Sequence, residues 1–265
     1  MTRIAVSGLL LLAAGLLTQC SPAATNASAE NSAQHSAPVK IQLMTSLPII
    51  WGEGASMQSI LSGKTSPAPI YAHWQQNYDI AAVDSFEALE KSGTDIVLLA
   101  QPPAMAPADI AAVDAWVRTG GKAIILTDPM LLWPTHLPLG DQRRPLASGL
   151  LSPLLEHWGL ELQAPDEAGS GGVELEFSGA TISTAGIGTF KLSAQKSSDQ
   201  SECVLSTANV MASCSVGKGR AIIFADADFL NDALWPDIEG GANKDGVGDA
   251  KGLIDILITD LRDGE

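Results

Sequence analysis

The stretch from Asp95 to Pro129 constrains this chain more than any other. Asp95-Ile96-Val97-Leu98-Leu99-Ala100 is a continuous apolar run after its first residue, as expected of a strand buried on both faces. Gln101-Pro102-Pro103 breaks it. Met105 to Arg118 then carries Ile110, Val113, Trp116 and Val117 at helical spacing, with Asp109 and Asp114 toward the polar side. Thr119-Gly120-Gly121 ends this helix, glycine supplying a left-handed cap. Lys122-Ala123-Ile124-Ile125-Leu126-Thr127 is a second buried strand, stopped by Asp128-Pro129. A strand, a helix and a strand with short links predict a right-handed crossover and a parallel sheet.

The flanking segments extend this unit. Lys40–Met44 and Tyr78–Val83 read as strands, and Ala55–Leu61 and Pro69–Gln76 as helices. Ser85 caps a helical turn through Phe86, Leu89 and Glu90. Leu150–Trp158 is a helix stopped by Gly159, and Leu160-Glu161-Leu162 begins a strand. From about 164 to 215 the character changes. Gly171-Gly172, the alternation Val173-Glu174-Leu175-Glu176-Phe177 and many Thr and Ser predict an antiparallel β-rich insertion. After a turn at Lys218-Gly219-Arg220, Ala221–Ala225 is again a continuous apolar strand. Leu253, Ile254, Leu257, Ile258 and Leu261 line one face of a final helix, Lys251–Leu261. The predicted class is α/β: a doubly wound, mostly parallel sheet with an antiparallel excursion before its last strand.

The amino terminus reads differently. Arg3 precedes an apolar run from Ile4 to Leu17, and small residues follow. This is the pattern of a secretory signal over residues 1–23, too short for a comfortable membrane span of about 20 apolar residues. Leu17-Thr18-Gln19-Cys20 resembles a lipobox with Cys20 as the acylated residue, although Gln19 departs from the small residue usual there. Cleavage after Ala23 or Ala29 is the competing route, and an uncleaved anchor helix a third. Residues 24–38 are mostly Ser, Ala, Asn, Gln and Pro with no large apolar residue, the composition of a flexible tether. Residues 39–265 have the length of one α/β domain.

A formal charge of −15 argues against nucleic acid and against anionic lipid surfaces, both of which need a basic footprint. Contact with a membrane is therefore expected only through an amino-terminal anchor. Cys203 and Cys214 flank Ser206-Thr207-Ala208, where two strands folded back on each other bring them opposite. In an oxidising compartment a disulfide follows; two buried thiols are the alternative. No CxxC spacing occurs.

In doubly wound sheets, ligands sit at the carboxyl ends of the parallel strands. Here those positions hold Ser46, Gln101, Asp128, Asp226 and Asp228, with Trp51, Glu53, Trp133, His136 and Arg143 in adjacent loops. These residues are the candidate ligand-binding rim; Asp128 and Asp226 serve equally well as caps of the turns that follow them. No Gly-x-Ser-x-Gly elbow is present, and His73, His136 and His157 are scattered, so no catalytic residue is assigned. Asp226, Asp228 and Asp232 lie close in sequence, and Asn243–Asp249 looks superficially like a calcium loop. That loop fails the pattern at Val247 and lacks the closing Glu, so neither a metal nor a cofactor is expected.

Two segments carry a family resemblance. One runs from Asp95 through Gln101-Pro102, Ala115-Trp116-Val117 and Gly120-Gly121 to Thr127-Asp128-Pro129. The other is Gly217-Lys218-Gly219-Arg220-Ala221-Ile222-Ile223-Phe224-Ala225-Asp226-Ala227-Asp228-Phe229-Leu230-Asn231. Together they resemble the auxiliary domain of uncharacterised ABC-type transport systems, the Gld-type gliding-motility family. That domain is similar to the class I glutamine-amidotransferase-like fold, which is flavodoxin-like. The resemblance implies an envelope accessory or ligand-binding role, with an ABC transporter or another envelope protein as partner. With the amino-terminal export pattern, the expected protein is periplasmic or lipid-anchored and non-enzymatic, and the rim residues suit a carbohydrate-like or peptide-like ligand. In amidotransferases the catalytic Cys follows a buried central strand. The matching strand here, Ala123–Leu126, is followed by Thr127-Asp128-Pro129, with no thiol. An envelope hydrolase with an acidic or Ser-based site is the alternative function.

Overall fold

The computed structural model describes residues 37–165, 173–177, 180–193, 201–206, 208–235 and 250–263. The segment predicted as a signal, Cys20, most of the predicted tether, Gly171-Gly172 and the calcium-like loop lie outside the described residues.

A seven-stranded sheet organises residues 37 onward. β1 (Lys40–Thr45), β2 (Asp79–Ala82), β3 (Ile96–Ala100), β4 (Lys122–Leu126) and β11 (Gly219–Phe224) are mutually parallel. β10 (Met211–Val216) and β9 (Ser201–Leu205) continue the sheet antiparallel beyond β11, giving the order β2-β1-β3-β4-β11-β10-β9. The parallel part follows the flavodoxin-like order 2-1-3-4-5, whose winding reverses between β1 and β3. Four shorter strands form two separate antiparallel pairs. β5 (Leu160–Gln163) pairs with β8 (Thr189–Leu192), and β6 (Val173–Phe177) with β7 (Ala180–Thr184). The predicted insertion is therefore partly continuous with the main sheet, because β9 and β10 find unpaired backbone along the edge of β11.

The apolar strands are continuous because each face meets its own helices. Side chains alternate across a strand. Ile96, Leu98, Ile124, Leu126, Ile222 and Phe224 point to one face. There they pack with Ile70 and Trp74 of α2 (Pro69–Asn77) and Leu253, Ile254 and Leu257 of α5 (Ala250–Asp263). Val97, Leu99, Ala123, Ile125 and Ile223 point to the other. They meet Val113 and Val117 of α3 (Pro107–Arg118) and Leu154, Leu155 and Trp158 of α4 (Ser152–Trp158). A short helix, α1 (Met57–Leu61), precedes α2 and buries none of its residues.

Element boundaries follow local chemistry. α3 starts at Pro107 rather than Met105, since proline has no amide to donate and its fixed φ suits a first helical turn. Asp109, expected on the polar face, is buried. Its Oδ1 accepts the Ser85 hydroxyl at 2.9 Å and the Phe86 amide at 2.6 Å, so it caps the preceding loop from across the interface. The helical turn expected after Ser85 is a 3-10 turn at Leu89–Lys91. β10 and β11 join through Gly217-Lys218, since Val216 pairs with Gly219. Gly217 has φ +60°, the positive angle that the first central position of a type II′ hairpin turn demands. Between β9 and β10, Cys203 lies opposite Cys214 and the two are joined by a disulfide, with Cα atoms 4.0 Å apart.

Candidate functional site

The carboxyl ends of β1, β3, β4 and β11 converge, and the residues after them are tied together. Gln101 follows β3 with φ +43°, a left-handed conformation uncommon for a residue other than glycine. It is fully buried. Its Oε1 accepts the Asp128 amide at 2.8 Å, and its Nε2 donates to the carbonyls of Asp128 at 3.2 Å and Leu146 at 3.0 Å. Its own carbonyl accepts the Ser46 amide at 2.9 Å and the Ser46 hydroxyl at 2.6 Å. The Leu146 amide donates back to Ser46 Oγ at 3.3 Å. Gly149 passes so close to Thr127 that a Cβ there would lie 2.1 Å from its hydroxyl. Ser46, Gln101 and Asp128 thus clamp the 146–149 segment onto the strand ends, and the Ser46 hydroxyl spends its proton on a carbonyl.

The strained turn stands after β3, at Gln101, and not after the Ala123–Leu126 strand to which the amidotransferase comparison pointed. In elbow-type sites such a conformation lifts a nucleophile out of the sheet. Here it places an amide that has no nucleophilic role and is consumed in three hydrogen bonds.

Beside this clamp, Asp128, Asp226 and Asp228 form a buried acidic cluster, with one carboxylate oxygen from each lying within 4.8 Å of the others. Backbone amides aim at them. Met130 N donates to Asp128 Oδ1 at 2.7 Å, Asp228 N to Asp226 Oδ1 at 2.6 Å, and Leu132 N to both Asp228 oxygens at 3.0 Å. Ala227 N lies 3.4 Å from Asp128 Oδ2. Asp128 and Asp226 therefore do serve as turn caps. Burial pushes Asp128 up to about 7, the Asp228 charge adds to the rise, and the Met130, Ala227 and Asp228 amides oppose it. Burial pushes Asp228 up to about 6 against the Leu132 amide. Asp226 is held well above the usual carboxylate range, by burial first and by the Asp128 charge second. The Thr184 hydroxyl favours its ionised form, though it makes no hydrogen bond of ordinary geometry. Three carboxylates this close and this dry share protons or need a cation.

The open part of the rim lies to one side. Pro48, Gly52, Glu53, Pro67, Trp133, His136, Asn231 and Asp232 line a cleft of about 390 Å³. Glu53 accepts the His136 amide at 2.6 Å. The Thr135 hydroxyl first and that amide second hold its carboxyl below the ordinary value. Of the predicted rim, Glu53, Trp133 and His136 line this cleft. Those at the strand ends lie in the clamp and cluster: Ser46 is half-buried, and Gln101, Asp128, Asp226 and Asp228 are buried among the backbone groups they bind. Trp51 is 51% exposed. Arg143 is exposed and spends its guanidinium on Asp141 at 2.6 Å and on the Gly54 carbonyl at 3.4 Å. His73 binds Asp255 at 3.0 Å and His157 lies 3.7 Å from Asp114, while the Ser46 hydroxyl pairs with the Gln101 carbonyl and the Leu146 amide. A larger concavity of about 840 Å³ lies at the opposite, amino ends of β1, β3 and β4, around Val39, Thr94 and Gly121. It lies away from the carboxyl strand ends that position ligands in this fold.

Sequence reasoning missed Thr184, the Leu132 amide and Asn231. None carries a local signal: each enters through a strand pairing or loop path set by tertiary structure.

No curated protein matches the sequence. Among solved structures, an exo-β-1,4-mannosidase from Opitutaceae bacterium strain TAV5 aligns at 12% identity and TM-score 0.45, covering 84% of this chain and 36% of that one. This chain thus spans about a third of that enzyme's length. A cytoplasmic protein from Salmonella typhimurium aligns at 10% identity and TM-score 0.43, covering 83% and 98%. A ThuA-like protein from Bacteroides uniformis ATCC 8492 aligns at 10% identity and TM-score 0.34, covering 74% and 86%. Residues 38–166, just under half of the chain, match the family described as ABC-type uncharacterized transport system, and the resemblance to its auxiliary domain rests on that match.

Proposed function

We propose that this chain is a non-enzymatic accessory domain of an ABC-type transport system, working in the cell envelope. It binds a carbohydrate-like or peptide-like ligand, or a segment of its transporter partner, in the cleft beside Trp133. The observation that carries the reading is the division of labour at the strand ends. The Ser46 hydroxyl is consumed in the clamp with the Gln101 amide, while Glu53, Trp133 and His136 line the open cleft. An indole face beside a carboxylate and an imidazole suits sugar hydroxyls or peptide amides. The family match over residues 38–166 supports the transport context. The amino-terminal pattern supports export, with Cys20 as the point of lipid attachment.

The test is a thermal-shift and tryptophan-fluorescence panel of oligosaccharides and peptides, with cross-linking to envelope proteins in parallel. A ligand or partner whose binding falls at least tenfold in Trp133→Ala and Glu53→Gln is the expected result. Binding unchanged in both variants, or absent throughout, overturns the reading. Mass spectrometry of the mature amino terminus separates diacylated Cys20 from a start at Ala24 or Glu30.

A further inference from the structure

We infer that Asp128, Asp226 and Asp228 form a binding site for one divalent cation of the calcium type, completed by the Thr184 hydroxyl. Calcium takes oxygen ligands at about 2.3–2.6 Å, so two oxygens on one ion stand no farther apart than about 5 Å. One oxygen from each of the three carboxylates meets that limit, all lying within 4.8 Å of one another. The donor set is all oxygen, with neither imidazole nor thiolate, which selects a hard cation over zinc or copper.

A second observation, from a different element, points to the same space. Thr184 ends β7, outside the strand-end loops that supply the aspartates. Its hydroxyl is fully buried, makes no hydrogen bond of ordinary geometry and adjoins the Asp226 carboxyl. Asp226 Oδ2 is likewise buried and unpartnered. Buried polar atoms are nearly always satisfied by protein, water or an ion. Here an orphan hydroxyl and an orphan carboxylate oxygen adjoin two further carboxylates. The amides of Met130, Leu132, Ala227 and Asp228 do not compete for the ion. A carboxylate oxygen accepts more than one partner, and these amides fix the carboxylates in orientation as outer partners of metal ligands do.

The ion would join the loop after β4, the loop after β11 and the end of β7. Leu132, whose amide Asp228 holds, adjoins Trp133 in the cleft. Filling the site therefore stiffens one wall of the cleft.

The experiment uses the full chain in detergent, stripped with chelator, dialysed at pH 7.5 and titrated with calcium chloride and magnesium chloride by calorimetry and thermal melting. One calcium per chain and a calcium-dependent rise in Tm are expected. Asp226→Asn should abolish both, and Thr184→Val should weaken calcium binding about tenfold at unchanged stoichiometry. Asp→Asn keeps the side-chain volume, and circular dichroism checks folding. Should Asp226→Asn fail to fold, Thr184→Val and Asp128→Asn give the same readout. No heat and no shift with either metal overturns the proposal and leaves a proton-sharing carboxyl cluster. Calcium binding retained at full affinity in Asp226→Asn and Asp128→Asn overturns it as well, placing the ion elsewhere.

Discussion

Gln101 concentrates what single residues do here. A left-handed conformation outside glycine stores on the order of 1–3 kcal/mol and persists only where the surroundings over-determine it. Three side-chain hydrogen bonds and two bonds to its carbonyl do so. Gln101→Ala keeps the strained backbone but deprives the buried Asp128 amide of its acceptor. Losing these bonds should cost about 2–4 kcal/mol in urea denaturation. Gln101→Gly loses the same bonds yet relaxes the backbone, so it should be milder than the alanine variant by about 1 kcal/mol. The reverse order would show that strain at this position is not part of the native energetics. The sequence marked Gln101 as lying after a buried strand; nothing local announced the clamp, whose partners sit 27 and 45 positions away.

At the scale of elements, the weak place is the antiparallel end of the sheet. β9 is an edge strand with Val204 66% exposed, and exposed edges are prone to slip or to pair with another chain. The Cys203–Cys214 bond ties it to β10 across a sequence separation of 11. A loop of that length contributes about 3 kcal/mol through the unfolded state. Replacing both cysteines with alanine should lower stability by about 2–3 kcal/mol in denaturant melts. Reductant should do the same to the native chain and nothing further to the variant. Equal stability with and without reductant would remove the bond from the account.

For the whole molecule the acidic cluster sets the pH response. Asp128 and Asp228 rise from 3.8 to about 7 and about 6, so the folded state holds their protons more tightly than the unfolded chain does. A group whose folded pKa is raised in this way favours folding at low pH, and that contribution is lost as pH climbs through 6 and 7. In chelator-containing buffer, the Tm should therefore fall between pH 5 and pH 8, by an amount on the order of a few kcal/mol in stability. Groups shifted the other way, such as Asp141 at about 2, contribute only below that window. Asp226→Asn removes one of the competing charges and should flatten the slope. A Tm that rises steadily from pH 5 to pH 8 in the native chain would contradict the burial of this cluster.

What the sequence determined by itself is the layered α/β frame. Apolar runs such as Ile96–Ala100 and Ile124–Leu126, spaced by one amphipathic helix, have no other way to bury both faces, and their order forces the crossovers. It also placed Ser46, Gln101, Asp128 and Asp226 at the strand ends, since those positions follow from where the apolar runs stop. Tertiary structure alone decided which of these face solvent. Gln101 and the three aspartates turned inward because backbone groups met them there: the Leu146 carbonyl and the Leu132 amide from loops 45 and 96 positions away, and the Met130 and Asp228 amides from the adjoining turns. The open cleft passed to Glu53, Trp133 and His136. Burial and hydrogen-bond satisfaction are properties of the packed whole, and no local pattern of residues encodes them.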